Sequence, residues 1–112
     1  MAGKGVKLGL LLPTRGLIMQ DKVPSNANEI LSLAKQAEIS GFDSVWVGDS
    51  LTAKPRLEPL ATLATVAGHT NRVRLGTAVL LAALRHPVLL AQTLGTLDLI
   101  SSGRMILTVG AG

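Results

Sequence analysis

The sequence predicts an α/β fold with four parallel strands in the order βαβαβαβ, and two observations support this prediction. Short apolar runs alternate with longer stretches of helical periodicity along the 112 residues, and this alternation is typical of right-handed crossovers and a parallel sheet. Only Phe42 and Trp46 are aromatic although 47% of the residues are hydrophobic. The core must therefore consist of Leu, Val, Ile and Ala, a composition that suits helices packed on a sheet. One domain, residues 1–112, is the most that this length supports.

The first strand is predicted at Val6 to Pro13, VKLGLLLP. Proline ends the run because it cannot continue a central ladder. The next segment, Thr14 to Ser25, is longer than a usual strand-to-helix connection, so it either lines a site or is mobile.

A helix is predicted to begin at Asn26, with Glu29 three positions later in a relaxed capping box, and to end at Gly41. Its buried stripe follows helical spacing at Ile30, Leu33, Ala34 and Ala37. The second strand is Ser44 to Gly48, and polar Asp49 and Ser50 follow it directly. In parallel α/β folds the ligand site lies at the carboxyl ends of the strands, so these two residues occupy the expected position.

The next helix has its apolar stripe at Leu60, Leu63, Ala64 and Ala67. The most strand-like run of the chain follows it at Val73 to Leu81, where Gly76 leaves room for a close neighbour. Substitution of Gly76 by valine should therefore overpack the sheet.

The last helix is predicted at Val88 to Ile100, after a proline that suits a first helical turn, and it should stop near Gly103. His86 precedes that proline, where a capping or packing role is favoured over catalysis. His69 lies near the end of the preceding helix and is predicted to be a surface residue. The fourth strand is Met105 to Val109.

Composition excludes several classes of function. The net charge is +4, but the eleven basic residues are scattered without aromatic interleaving, so no nucleic-acid partner is predicted. No apolar run approaches the roughly 20 residues that span a bilayer, and no secretion signal is recognisable at residues 1–5. The chain has no cysteine and its two histidines are 17 positions apart, so no metal site is predicted. The expected location is the cytoplasm.

Four segments in order resemble the luciferase-like flavin monooxygenases, the family that includes bacterial luciferase and deazaflavin-dependent reductases and dehydrogenases. They are VKLGLLLP, AKQAEISGFDSVWVGDS, EPLATLATVAGHTNRVRLGTAVLLAALRHPVLLAQTLGTLDLISSGR and MILTVGAG. The resemblance implies a TIM-type (β/α)₈ barrel that binds FMN or a deazaflavin coenzyme at its C-terminal face. Since such a barrel takes about 250 residues, residues 1–112 are interpreted as an N-terminal half-barrel segment.

The resemblance also implies the site residues. Asp49 matches an acidic position near the flavin ring, and Ser50 falls where several members carry a catalytic histidine, so the resemblance implies Asp49 and Ser50 as the catalytic residues. Serine cannot replace histidine in proton transfer near neutral pH. The alternatives are a loop cap for Asp49 and a turn hydroxyl for Ser50. Ala78-Val79 matches a non-prolyl cis peptide bond behind the flavin, and a trans bond is the alternative. The remaining cofactor-binding residues implied by the family are Gly110, Ala111 and Gly112.

The leading hypothesis is a fragment of a flavin- or deazaflavin-dependent oxidoreductase that acts on a small organic substrate and is inactive alone. The alternative is a non-catalytic half-barrel module that associates with itself. Four strands of a barrel leave half of its interior uncovered and two sheet edges unpaired, so a homodimer or a higher homo-oligomer is expected.

Overall fold

The computed structural model describes residues 5–20, 22, 24–51 and 54–112. The strands β1 (Gly9–Leu11), β2 (Ser44–Val47), β3 (Arg74–Thr77) and β4 (Met105–Ile106) form one parallel sheet in the order β1-β2-β3-β4. The helices are α1 (Thr14–Ile18), α2 (Asn28–Ile39), α3 (Pro59–His69) and α4 (Pro87–Ile100), and a 3₁₀ turn covers Ala82–Leu84. The predicted α/β fold and its alternation are confirmed.

The strands are shorter than the apolar runs that predicted them. β3 ends at Thr77 instead of Leu81 because the Thr77 side chain takes over from the backbone ladder: its Oγ1 accepts from the Thr108 N–H at 2.9 Å and donates to the Thr108 carbonyl at 2.8 Å. Leu80 then pairs with Val109 through a single bridge. An apolar run marks burial, and it does not show where a side chain interrupts the ladder.

The predicted loop Thr14 to Ser25 contains the short helix α1. A five-residue helix that includes Gly16 has too little periodicity to be recognised in a sequence. Residues 21 and 23 of that predicted loop lie outside the described residues, as do residues 1–4 at the N-terminus.

The helices cover one face of the sheet, and the core lies between them. Val45, Val47 and Leu75 point from the strands into this layer and are fully buried. Both predicted helical stripes are confirmed, with partial burial at Leu33 and Ala64. Among the described residues, the buried hydrophobic core consists of Leu, Ile, Val and Ala side chains, with Phe42 and Met105 packed against it as partly buried residues. The buried core residues are 12, 17, 30, 34, 37, 45, 47, 60, 63, 66, 67, 73, 75, 80 and 97.

One predicted helix cap is confirmed by the structure, and in a second helix the observed N-cap is the next residue along the chain. His86 is the N-cap of α4, and its Nδ1 accepts from the Val88 N–H at 3.2 Å, which confirms the capping role. Asn26 accepts from the Asn28 N–H at 3.0 Å, but the N-cap of α2 is Ala27. The Asn26 side chain thus forms a turn before the helix rather than its cap.

The other face of the sheet, here called the inner face, is open. The Trp46 indole lies across it and covers the neighbouring strands, because a Cβ atom at Gly76 would lie 2.3 Å from Trp46 Cε3 and one at Gly9 2.5 Å from Trp46 Nε1. The indole N–H donates to Ser44 Oγ at 2.8 Å. Leu11 on the same face is 59% exposed. The close neighbour that Gly76 was predicted to admit is therefore Trp46.

Candidate functional site

The carboxyl end of β2 is tied to the loop after β3 by one carboxylate. Asp49 Oδ2 accepts from the Leu81 backbone N–H at 2.9 Å and from Arg85 Nη2 at 2.8 Å, and only 2% of the Asp49 side chain is exposed. Hydrogen bonds to a charged acceptor are the stronger kind in proteins. Asp49 therefore fixes the position of the loop that carries Ala78 and Val79.

The second carboxylate oxygen of Asp49, Oδ1, takes no part in these contacts. Oδ1 is buried and has no hydrogen-bond partner among the described residues. A buried acceptor without a donor costs on the order of 1–3 kcal/mol, so such an atom calls for a specific explanation. A ligand N–H or O–H donor would supply the missing partner.

Arg85 connects this carboxylate to the start of a helix. Its Nη1 lies 3.2 Å from Glu58 Oε2 while its Nη2 binds Asp49. Glu58 is the N-cap of α3, and its Oε1 accepts from the Ala61 N–H at 2.7 Å. The carboxyl ends of β2 and β3 and the start of α3 thus share one network of charges. Arg85 was not predicted as a site residue, because no local pattern marks an arginine as the partner of a carboxylate 36 positions away.

The hydroxyl of Ser50 is engaged within its own loop. Ser50 Oγ donates to the Lys54 carbonyl and accepts from Arg56 Nε, the latter at 3.1 Å. These contacts match the alternative of a turn hydroxyl. The catalytic role predicted for Ser50 gains no support from them and stays a prediction.

The loop after β3 and the C-terminal tail lie side by side. The Ala78–Val79 peptide bond is cis, in agreement with the implication of the family resemblance. Gly110 donates its N–H to the Leu80 carbonyl at 3.0 Å, and a Cβ atom on Gly110 would lie only 2.7 Å from Val79 Cγ2. Glycine at 110 thus permits this close approach of the tail to the loop.

The end of the tail follows the same path. A Cβ atom on Gly112 would lie 3.2 Å from a Leu81 methyl group, and Ala111 between the two glycines is exposed. The structure therefore brings the predicted cofactor-binding residues to one edge of the sheet: Asp49, Ala78, Val79, Gly110, Ala111 and Gly112.

Other clefts lie away from this edge. One of about 170 Å³ opens at the amino end of the sheet, between Phe42, Asp43 and Arg72. Ligands of parallel α/β folds bind at the opposite, carboxyl end. Within the described ranges no group of three or more His, Cys, Asp or Glu side chains is placed to hold a metal ion, and no helix there is long and apolar enough to cross a bilayer.

A sequence profile of luciferase-like monooxygenases matches residues 6–112. The chain belongs to this family. One relative, the F420-dependent glucose-6-phosphate dehydrogenase of Kineococcus radiotolerans, is 39% identical over an alignment of 90 residues that covers 75% of this chain and 27% of the relative. The oxygenase component of the flavin-dependent trigonelline monooxygenase of Acinetobacter baylyi is 32% identical over an alignment of 89 residues that covers 76% of this chain and 24% of that protein.

A solved structure agrees with the luciferase-like fold. The coenzyme F420-dependent tetrahydromethanopterin reductase of Methanopyrus kandleri superposes with a TM-score of 0.77 at 29% identity, over 97% of this chain and 28% of that structure. This luciferase-like chain thus spans about a quarter of the length of the relatives it matches.

Proposed function

We propose that this chain forms one wall of the cofactor site of a flavin- or deazaflavin-dependent oxidoreductase that acts on a small organic substrate. The observation that carries the proposal is the buried Asp49 carboxylate, which uses one oxygen to hold the loop after β3 and keeps the other without a partner. Relatives that depend on coenzyme F420 and relatives that depend on flavin support both cofactor classes.

The residues of this edge fit such a cofactor. Asp49 Oδ1 is a buried acceptor without a donor, and flavin and deazaflavin rings carry N–H groups. Ala78, Val79 and the glycine-containing tail, residues 110–112, place backbone beside the same loop, where glycine allows close approach. When bound, the ring supplies the redox chemistry, and the protein supplies orientation and electrostatics.

Asp49 acts in this proposal by binding and orientation. Its negative charge is shared with Arg85 through Oδ2, so the carboxylate is held in place and Oδ1 remains available to a ligand donor. Ser50 is proposed to contact substrate or cofactor only through rearrangement of its loop, because both of its present partners are protein groups. We expect the isolated chain to bind cofactor weakly and to turn over no substrate.

Titration of the purified chain with FMN and, separately, with coenzyme F420, followed by ligand fluorescence, tests the proposal. We expect saturable binding that Asp49→Asn weakens and that Asp98→Asn leaves unchanged, since Asp98 is exposed on α4. The absence of any saturable signal up to about 1 mM ligand, equivalent to about −4 kcal/mol, would refute cofactor binding by this chain.

A second candidate function, a self-associating half-barrel, is favoured by the open inner face. Leu11 is 59% exposed there, and β1 and β4 are the outer strands of the sheet, each without a second neighbouring strand in the part of the chain that the structure describes. A second copy that covers this face, by edge-to-edge closure or by stacking, would bury this surface and use the two-fold symmetry usual for homo-oligomers.

Light scattering behind a sizing column tests this candidate. We expect a mass of at least two chains at micromolar concentration, and Leu11→Lys should shift the population toward the monomer. A monomer of 11.6 kDa with cooperative unfolding would contradict it. The cytoplasmic location stays a prediction, which imaging of a tagged chain in its host would check.

A further inference from the structure

Two arginines lie near Asp49 at the carboxyl end of the sheet, in two segments that the fold brings together. Arg15 is in α1, directly after β1, and Arg56 is in the connection between β2 and α3. The Leu57 backbone N–H donates to the Thr14 carbonyl at 3.3 Å. Each arginine is therefore the chain neighbour of a residue in this hydrogen bond, and both side chains are half-buried.

The guanidinium of Arg56 is held against the end of β2. A Cβ atom on Gly48 would lie 2.0 Å from Arg56 Nη1 and 2.8 Å from its Cζ, so only glycine admits the guanidinium at this place. Arg56 Nε donates to Ser50 Oγ at 3.1 Å. The Nε bond and the glycine contact orient the group while its Nη atoms have no hydrogen-bond acceptor among the described residues.

At this carboxyl end of the sheet, positively charged side chains outnumber carboxylates among the described residues. Arg85 forms ion pairs with Asp49 and with Glu58, whereas neither Arg15 nor Arg56 has a carboxylate within 4.0 Å in the part of the chain that the structure describes. The Arg15 Nε is buried and has no acceptor there.

The two cations also act on each other. Burial lowers the pKa of Arg56, and the charge of Arg15 lowers it further, while Asp49 raises it. Two neighbouring positive charges in a partly buried position lower the stability of the fold unless a bound anion compensates them.

We propose that Arg15 and Arg56 form a binding site for an oxyanion, a carboxylate or phosphate group, at the carboxyl ends of β1 and β2. Arginine presents a planar fork of donors that matches both groups. The site rests on the proposed function for its role, because an anion held there lies next to the edge that carries Asp49. The oxyanion belongs either to the substrate or to the phosphate of the cofactor.

Inorganic phosphate is the probe that tests the site in the whole chain. Titration at constant ionic strength, followed by the amide resonance of Gly48 and the Nε resonance of Arg56, should show saturable shifts. Arg15→Gln and Arg56→Gln should each weaken phosphate binding about tenfold. Arg74→Gln removes the same charge from the exposed amino end of β3 and should change the dissociation constant less than about twofold.

Arg15→Lys and Arg56→Lys keep the charge and serve where a glutamine variant does not fold. They should bind phosphate more weakly than the wild type, because lysine lacks the fork. The absence of saturable shifts in the wild type would overturn the proposal, and so would equal binding by the Arg15, Arg56 and Arg74 variants.

Competition identifies the source of the oxyanion. Displacement of phosphate by FMN but not by riboflavin assigns the site to the cofactor phosphate, and failure of both to displace it assigns the site to the substrate. Either result supports the site. Phosphate binding needs no flavin, so it can be observed even if the FMN titration shows that the proposed cofactor function is wrong.

Discussion

Charged side chains hold both ends of the sheet. Among the described residues, Arg104 and Glu38 at the amino end have hydrogen-bond partners for all their N–H groups and carboxylate oxygens, whereas charged groups at the carboxyl end keep buried atoms without a partner. Arg104, just before β4, uses all five of its guanidinium N–H groups: Nε binds the Ser101 carbonyl, Nη1 binds Thr70 Oγ1 and the Val73 carbonyl, and Nη2 binds the carbonyls of Ala67 and Thr70, at 2.8–3.1 Å. These acceptors include orphan carbonyls at the ends of α3 and α4. Arg104 thus locks two helix ends to the sheet.

Glu38 is the second charged side chain that holds the amino end of the sheet. Its carboxylate accepts from the backbone N–H groups of Asn71, Arg72 and Val73 at 2.6–3.0 Å. Burial raises the pKa of Glu38, but the three backbone donors, with Arg104 nearby, outweigh burial and hold the pKa below its ordinary value.

At the carboxyl end, by contrast, Asp49 Oδ1 and the Nε atoms of Arg15 and Arg85 are buried without partners among the described residues. Unpartnered buried groups cost stability and persist where function requires them. This contrast indicates that the charged groups of the amino end stabilise the fold, and it favours a ligand role for those of the carboxyl end. Four substitutions test this contrast.

The largest effect is expected from Arg104→Met. This change leaves the carbonyls that Arg104 binds without their donor, so we expect a loss of about 3 kcal/mol in the free energy of unfolding. Urea unfolding measures it. Arg74→Met, an exposed arginine one strand away, should cost less than about 0.5 kcal/mol. Equal losses in the two variants would show that Arg104 does not lock the amino end.

A change at the centre of the sheet separates local packing from the two ends. Gly76→Val forces the Trp46 ring to move, since a Cβ atom there would lie 2.3 Å from it, and should cost about 1–3 kcal/mol. Trp46 is the only tryptophan, so its fluorescence reports the displacement directly. Gly68→Ala on α3, where a Cβ atom meets nothing within 4 Å, should stabilise the chain by up to about 1 kcal/mol. Unchanged stability and fluorescence in Gly76→Val would contradict the packing.

Glu38→Gln should cost about 1 kcal/mol near neutral pH, a value reduced for solvent exposure of the carboxylate. Because the folded pKa is lowered, this stabilisation is fully present above the unfolded glutamate pKa of about 4.3 and is lost as pH falls through the folded pKa. Unfolding curves of wild type and variant should therefore converge in acid. Glu29→Gln, at an exposed position in the first turn of α2, removes the same charge and is the matched control. A constant difference at all pH values would exclude the carboxylate charge as the cause.

The smallest effect on stability is expected from Asp49→Asn, less than about 1 kcal/mol, because an asparagine oxygen can still accept from Leu81 and Arg85 keeps Glu58 as a partner. Thermal unfolding measures this change. The same variant should show the clearest loss of cofactor affinity in the titration proposed above. A large loss of stability would assign Asp49 to the frame of the fold and remove the contrast between the two ends.

Much of the fold could be predicted from the sequence. The helical stripes, the order of the elements and the Gly76 contact follow from periodicity and from residue size, which depend on neighbours along the chain. The position of Asp49 at the carboxyl end of a strand also followed, because parallel topology brings all such ends to one edge. The cis peptide bond at Ala78–Val79 was implied by the family resemblance and left open by the sequence alone.

Which charged side chains form pairs could not be predicted from the sequence, because it depends on contacts between distant segments. Arg85 reaches Asp49 across 36 positions, Arg104 reaches Ala67 across 37, and the Leu57–Thr14 hydrogen bond sets Arg56 beside Arg15. The tertiary structure also determines where β3 ends, since the Thr77 hydroxyl replaces the ladder only once Thr108 lies opposite it. The physical reason is that hydrogen bonds and ion pairs depend on distances of a few ångströms between segments far apart in the chain, whereas burial patterns repeat locally and are visible in the sequence.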